Sequence, residues 1–173
     1  MTSESMPAPS LWRHADFLKL WVGQTISELG SVVTRTTMPL VALLVLGGGP
    51  LEFALLVISE SLAVLLVSLV AGAWVDRLRR RPLLIWADAI RAALLLSIPV
   101  AYALNALRME QLYVVLFLVA CLSAVFSSAY PAYVPTLVGS ERVIDANAKL
   151  ATSSSIAEIG GPGFAGALVS LFR

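Results

Sequence analysis

Little in this chain carries metal-binding, redox or phosphate-binding chemistry. One cysteine, Cys121, and one histidine, His14, occur among 173 residues. A single thiol makes no internal disulfide, and no Cys/His spacing forms a metal site. Cys121 lies inside an apolar block and reads as packing; His14 lies in a polar segment ahead of the first block and reads as a solvated surface group. Charged residues make up only 13% and the net charge is +1. No basic stripe is present to neutralise phosphates, which excludes nucleic acid as a partner. No nucleophile–base constellation is present either, so the sequence predicts no enzyme and no cofactor. The segment from Met1 to Ser10 is polar and holds two prolines. It lacks a basic region followed by a short apolar core and a small-residue cleavage site, so no cleavable signal peptide is expected. The first apolar block is expected to serve as its own insertion signal.

What the chain does have is apolar length. Hydrophobic residues make up 58% and the mean hydropathy is +0.86, leaving too little polar surface for the shell of a soluble domain. These residues fall in five blocks, at about 21–46, 53–75, 83–104, 112–133 and 150–172. A helix needs roughly 20 mostly apolar residues to cross a bilayer core of roughly 30 Å. The blocks are continuous and do not alternate, which argues against a β-barrel. The expected fold is therefore an all-α integral membrane bundle of about five spans (21–173), preceded by a cytoplasmic tail (1–20). Gly47, Gly48, Gly49 and Pro50 end the first block. Pro131 and Pro135 lie near the end of the fourth, and a polar loop from Gly139 to Lys149 precedes the fifth. The linkers are short, so consecutive spans are expected to be antiparallel neighbours.

Lysine and arginine placement orients the chain. Arg13, Lys19, Arg77, Arg79, Arg80, Arg81, Arg142 and Lys149 fall on the side of the N-terminus; Arg108 and Arg173 fall on the other. The N-terminus is therefore expected in the cytoplasm, with the protein in the inner (plasma) membrane and its C-terminus outside. Trp12, Trp21, Trp74 and Trp86 lie near the predicted boundaries, where indoles anchor.

Charges within the blocks are costly in hydrocarbon, by ~2.5–3.5 kcal/mol each on insertion scales. Glu28, Arg35, Glu60, Asp88, Arg91 and Glu158 are nevertheless there. Gln24, Glu28, Ser31 and Arg35 recur at steps of four, three and four, which places them on one helical stripe expected to face inward. That stripe is either the wall of a polar cavity touching substrate or protons, or a structural seam between helices. Arg35 and Glu60 are at similar depth, roughly 16 and 13 Å from the far end of the first hairpin by helical rise. This matched depth predicts an ion pair between the first two spans. Asp88 and Arg91 share a face and are expected to pair within their helix, a mainly structural role. Glu158 precedes Gly160-Gly161-Pro162-Gly163 and Gly166. It is either a protonatable carboxyl on a flexible, substrate-lining helix or a carboxyl facing the watery end of a packing helix.

The most specific local pattern is Gly72-Ala73-Trp74-Val75-Asp76-Arg77-Leu78-Arg79-Arg80-Arg81, between the second and third blocks. It resembles the signature loop of the major facilitator superfamily, roughly G-x-x-x-D-R-x-G-R-R/K. Gly72, Asp76, Arg77, Arg80 and Arg81 match, while Arg79 stands where the family most often has glycine. Gly23-Gln24-Thr25-Ile26-Ser27 with Gly30, Asp88-x-x-Arg91, the stretch from Phe126 to Val138, Glu141-Arg142, Ala146-Asn147-Ala148 and Gly161-Pro162 are similar to a branch containing the enterobactin exporter and macrolide-efflux proteins. Ser128 stands where that branch usually has proline, and Ala165 replaces a glycine of the drug/proton antiporter motif.

The resemblance implies a twelve-helix transporter in two halves, of which this chain supplies five helices, without the sixth and without the C-terminal half. It implies a bilayer and a small siderophore- or drug-like molecule as partners, outward transport driven by protons, and a bracing role for Asp76, Arg77 and Arg80 between halves. The competing expectation is a non-transporting membrane protein or partner subunit that needs a second chain to bury its polar stripes.

Overall fold

A computed structural model describes residues 11, 14–75 and 78–171, with the side chains of 70–75, 164 and 167–171 excepted. The described residues form five long helices: α1 (Ala15–Leu40), α2 (Pro50–Val75), α3 (Arg80–Ala103), α4 (Met109–Val138) and α5 (Val143–Leu171). A π-helical turn, Val41–Val45, extends α1, and a single 3-10 turn, Ser140–Arg142, leads into α5. The protein is an all-α helical bundle. Among the described residues, four helices are long and apolar enough to cross a membrane by length and composition: Ala15–Val45, Pro50–Leu69, Arg80–Ala103 and Met109–Val138. α5 has the length, 29 residues, but carries Asp145, Lys149 and Glu158.

Several helices outrun the apolar blocks. α1 begins at Ala15, where Asp16 in the first turn favours the helix dipole. The segment 143–149, expected as loop, forms the first two turns of α5, where Lys149 Nζ pairs with Asp145 Oδ1 at 2.6 Å, one turn apart. α4 continues through Pro131 and Pro135 to Val138. Each proline removes one helical donor without ending the helix, and Arg80 Nη1 of α3 donates to the Ala132 carbonyl between them at 2.9 Å. Gly139, at φ 78°, ends α4 in a conformation that favours glycine. The α1–α2 turn has its own devices. The Gly48 amide bonds the Ala42 carbonyl at 2.9 Å, and Pro50 opens α2 while Glu52 accepts from the Gly49 amide at 2.8 Å.

Short linkers do not make every consecutive pair into neighbours. The main packed pairs are α1 with α5, α2 with α4, and α3 with α4. Phe17, Leu20 and Trp21 of α1 pack near Ala146 and Leu150 of α5, while Val32 meets Gly161. Both series ascend, so α1 and α5 run parallel. Leu56 packs with Leu112 and Leu116, and Val67 with Phe126, so α2 and α4 are also parallel. α3 is antiparallel to α4, with Ile98 beside Leu112 and Leu84 beside Phe126. α1 and α2 share their turn and then diverge.

Packing between apolar helices gains little from the hydrophobic effect in lipid and relies on close approach through small residues. α5 shows this. Its buried positions Ala146, Leu150, Ser153, Ala157, Gly161 and Ala165 form one stripe, and a Cβ on Gly161 would run into Val32. The Gly160–Gly163 stretch therefore leaves α5 continuous. Apolar clusters close the bundle at both ends: Ala42, Leu56, Ile98 and Leu112 at the far end, and Leu84, Ala87, Phe126 and Ala129 at the near end. Between them, the divergence of α1 from α2 leaves room for a cavity.

Candidate functional site

That cavity has a volume of about 860 Å³. One wall is the polar face of α1: Gln24, Ser27, Glu28, Ser31, Thr34 and Arg35. α2 contributes Glu60, Ser61 and Ser68 among Val64, Leu65 and Leu69. α4 supplies a largely apolar back that includes Leu116, Val119 and Phe126, and Arg91 and Leu95 come from α3. Helical spacing alone assembles the α1 wall, since steps of three and four residues stay on one face.

α3 is tied to α1 by a polar junction. Arg91 is buried. Its Nη1 donates to Asp88 Oδ1 at 3.1 Å and to Ser27 Oγ at 3.3 Å, and its Nη2 donates to Ser31 Oγ at 2.6 Å. The Ser27 hydroxyl also donates to Asp88 Oδ1 at 2.9 Å. A hydroxyl that accepts from a guanidinium and donates to a carboxylate fits between two opposite charges. Ser31 completes its own bonding by donating to the Ser27 carbonyl at 2.9 Å. Arg91 Nε is buried without a partner among the described residues.

Arg35 and Glu60 face the same cavity, close enough for the arginine charge to act on the carboxyl. Among the described residues no Lys, Arg or His nitrogen lies within 4 Å of Glu60, so the expected ion pair is absent. The reason is the divergence of α1 from α2, which sets matched depths on opposite walls of a cavity.

Glu28 accepts a hydrogen bond from Gln24 Nε2 at 2.9 Å. Both also line a second, smaller cleft of about 310 Å³ between α1, α4 and α5, together with Phe126, Ser127, Tyr130, Asn147 and Ser154. The residue spacing shows no sign of this cleft, because Tyr130 and Asn147 lie over a hundred residues from Glu28. Ser27, Tyr130 and Asn147 are site residues that sequence reasoning passed over. Ser27 left a signal through its place one turn from Gln24 and Ser31, while Tyr130 and Asn147 lie within stretches that carry the family resemblance but mark no site.

Glu158 is exposed and lines neither cavity. In the signature loop, Asp76 and Arg77 lie outside the described residues, and of Gly72 only its place in α2 is described. Arg80 bonds α4 as above, and Arg81 is exposed. No cluster of His, Cys, Asp and Glu suited to a metal ion occurs among the described residues.

Comparison with known proteins agrees with this architecture. A family model described as "Transmembrane secretion effector", of the major facilitator superfamily, matches residues 6–173. A Bacillus subtilis (strain 168) protein described as the uncharacterized MFS-type transporter YfiS is 26% identical over 167 residues, 96% of this chain and 39% of that protein. The chain thus spans about two fifths of the length of this curated relative. No solved structure matches. The family model, matched over nearly the whole length of this multi-helix membrane bundle, places the chain in the transmembrane secretion effector family of the major facilitator superfamily, a family of transporters and not of enzymes.

Proposed function

We propose that this chain is the N-terminal portion of a major facilitator exporter that moves a small amphipathic molecule, siderophore-like or drug-like, outward across the inner membrane in exchange for protons. The observation that carries the reading is the cavity: its volume of about 860 Å³ falls within the range of small-molecule sites, and it sets a polar α1 wall and a mixed α2 wall against a largely apolar α4 surface. Such a site fits a molecule with both kinds of surface. Glu28 and Glu60 are the carboxyls placed to exchange protons with it. Asp76, Arg77, Arg80 and Arg81 serve as the cytoplasmic brace, and the N-terminus is cytoplasmic.

Transport is assayed in inverted membrane vesicles carrying the full reading frame. Energised vesicles are expected to take up the substrate, and a protonophore is expected to stop uptake. Uptake that is indifferent to the protonophore overturns proton coupling, and no uptake across a panel of amphipathic amines, catechols and macrolides overturns export. The isolated 173-residue chain is expected to show no transport in liposomes, because family sites lie between two helical repeats.

A second reading, a membrane subunit completed by another chain, draws on Glu158. It lines neither cavity and is exposed on the five-helix surface, where lipid would not solvate it. Co-purification of a second membrane protein in fixed proportion supports it, and a monodisperse single chain counts against it.

A further inference from the structure

Leu11 precedes α1 and belongs to none of the five helices, yet it is only 2% exposed. It is buried among Phe17 of α1, Val134 and Val138 of α4, and Ala146 and Leu150 of α5. Phe17 is fully buried in the same cluster. The His14 amide donates to the Leu11 carbonyl at 3.0 Å, and His14 Nδ1 is itself shut off from water. Leu11 also lies ahead of the membrane-length segment Ala15–Val45, so on leaving the cluster its side chain meets water. The hydrophobic effect therefore holds it in place, which it does not do for helix contacts inside lipid.

This cluster has a definite place relative to the smaller cleft. On α1 the cluster takes Phe17, Leu20 and Trp21, and the cleft takes Gln24 and Glu28. On α4, which runs the other way, the cleft takes Ser127, the cluster takes Val134 and Val138, and Tyr130 belongs to both. On α5 the cluster takes Val143 and Ala146, the cleft takes Ala151 and Ser154, and Leu150 belongs to both. On all three helices the cluster thus lies about one turn nearer the end that carries Leu11. It is the floor of the cleft, and exposed Asn147, beside Ala146, marks the rim. Above the floor, Gln24, Glu28, Ser127 and Ser154 make the lining polar, and a volume of about 310 Å³ leaves room for water. Gln24, Glu28, Phe126 and Ser127 also line the larger cavity, so the two spaces adjoin.

We propose that Leu11 is the movable closure of a water route between α1, α4 and α5. When it leaves the cluster, the floor opens, and the smaller cleft and the larger cavity behind it reach the aqueous phase at this end of the bundle. The helices stay where they are, because none of them carries Leu11. The route runs inside the five-helix unit, apart from the space between two helical repeats where family sites lie. It does not rest on transport, since access is measured whether or not a substrate moves. The test reads thiol access in membrane vesicles carrying the 173-residue chain with Cys121→Ser and Ser154→Cys. The probe is the membrane-impermeant reagent sulfonatoethyl methanethiosulfonate. The vesicles, inverted or right-side-out, are those in which Glu141→Cys, at the exposed turn ahead of α5, reacts from the bath. Ser154→Cys is expected to react slowly by comparison. Adding Leu11→Ala is expected to speed it about 10- to 100-fold, the burial of a leucine side chain read as a rate ratio. Val138→Ala thins the same floor from α4 and should speed it at least about threefold. Leu11→Met keeps the volume and should leave it within about twofold. So should Leu112→Ala, which truncates an equally buried leucine in the far-end cluster. Size-exclusion and circular dichroism after extraction report folding. If Leu11→Ala does not fold, the smaller truncation Leu11→Val is read in its place, with an expected rise of about threefold or more.

If Ser154→Cys reacts as fast as Glu141→Cys before Leu11 is changed, the floor is already open and the closure is overturned. An unchanged rate in the folded Leu11 variant overturns it too. So does an equal rise in Leu112→Ala, which would trace access to general loosening. A rise confined to the Leu11 and Val138 truncations supports the closure. Its failure leaves the transport proposal standing, and a chain that transports nothing leaves the closure standing.

Discussion

Replacing Arg91 with methionine probes the α1–α3 junction. The substitution keeps the length and apolar stem while removing three hydrogen bonds, to Asp88, Ser27 and Ser31. Removing one partner of a buried pair costs ~3–5 kcal/mol, because the remaining charge is left uncompensated. Two features lower that figure here. The Asp88 side chain keeps 35% of its exposure, so water screens part of its charge. Arg91 Nε already lacks a partner, so its removal relieves one unsatisfied donor. The expected cost of Arg91→Met is therefore about 2–3 kcal/mol. Asp88→Asn strands the better-buried guanidinium, whose side chain is 11% exposed, and is expected to cost as much or more. The double variant leaves two serines that can bond their own helix carbonyls. It should cost less than the sum of the singles by about 1–2 kcal/mol, within the range of coupling energies for contacting residues. Unfolding in mixed micelles by titration with sodium dodecyl sulfate, followed by circular dichroism, supplies the cycle. Costs that add within about 0.5 kcal/mol would refute the argument that the junction acts as one unit.

Arg35 and Glu60 give the opposite expectation. With no nitrogen within 4 Å of the carboxyl among the described residues, Arg35→Gln and Glu60→Gln should be nearly additive in the same assay, with coupling below about 1 kcal/mol; strong coupling would mean the walls close. Gly161→Ala places a Cβ against Val32 and should destabilise the α1–α5 pair by about 1–3 kcal/mol, and adding Val32→Ala should recover most of the loss. An unrecovered double variant would show that helix propensity, and not contact, sets the effect. Orientation is read by thiol labelling in a Cys121→Ser background. Asn105→Cys should react with an impermeant maleimide from outside intact cells, and Glu141→Cys only after permeabilisation; the reverse pattern would invert the topology.

Much of the fold is legible along the chain, because a bilayer imposes length and apolarity on each crossing segment. Apolar runs, the Gly47–Pro50 break and the three-residue step from Asp88 to Arg91 are local properties, so they can be read without knowing which helix lies beside which. The ends of α4 and α5 were less legible. Pro131 and Pro135 lie near the expected end of the fourth block, yet α4 continues through both to Val138. The polar stretch 143–149 read as a loop because hydropathy senses lipid and not helix, while its Asp145–Lys149 pair is itself helical in spacing.

For the site, the α1 stripe from Gln24 to Arg35 follows from helical period alone. Its company does not. Short turns bring helix ends together but leave the rest of each helix free to choose partners by packing. Small residues on α5 draw it against α1, and α2 lies along α4, so α1 and α2 stand apart with Arg35 and Glu60 on opposite walls. The same choice carries Tyr130 and Asn147 to Glu28. The sequence by itself determined that these helices form, which face of α1 is polar and which superfamily the chain belongs to. Tertiary structure decided which polar groups share a space, because side-chain packing between segments distant in the chain sets helix neighbours, and no periodicity within one helix records it.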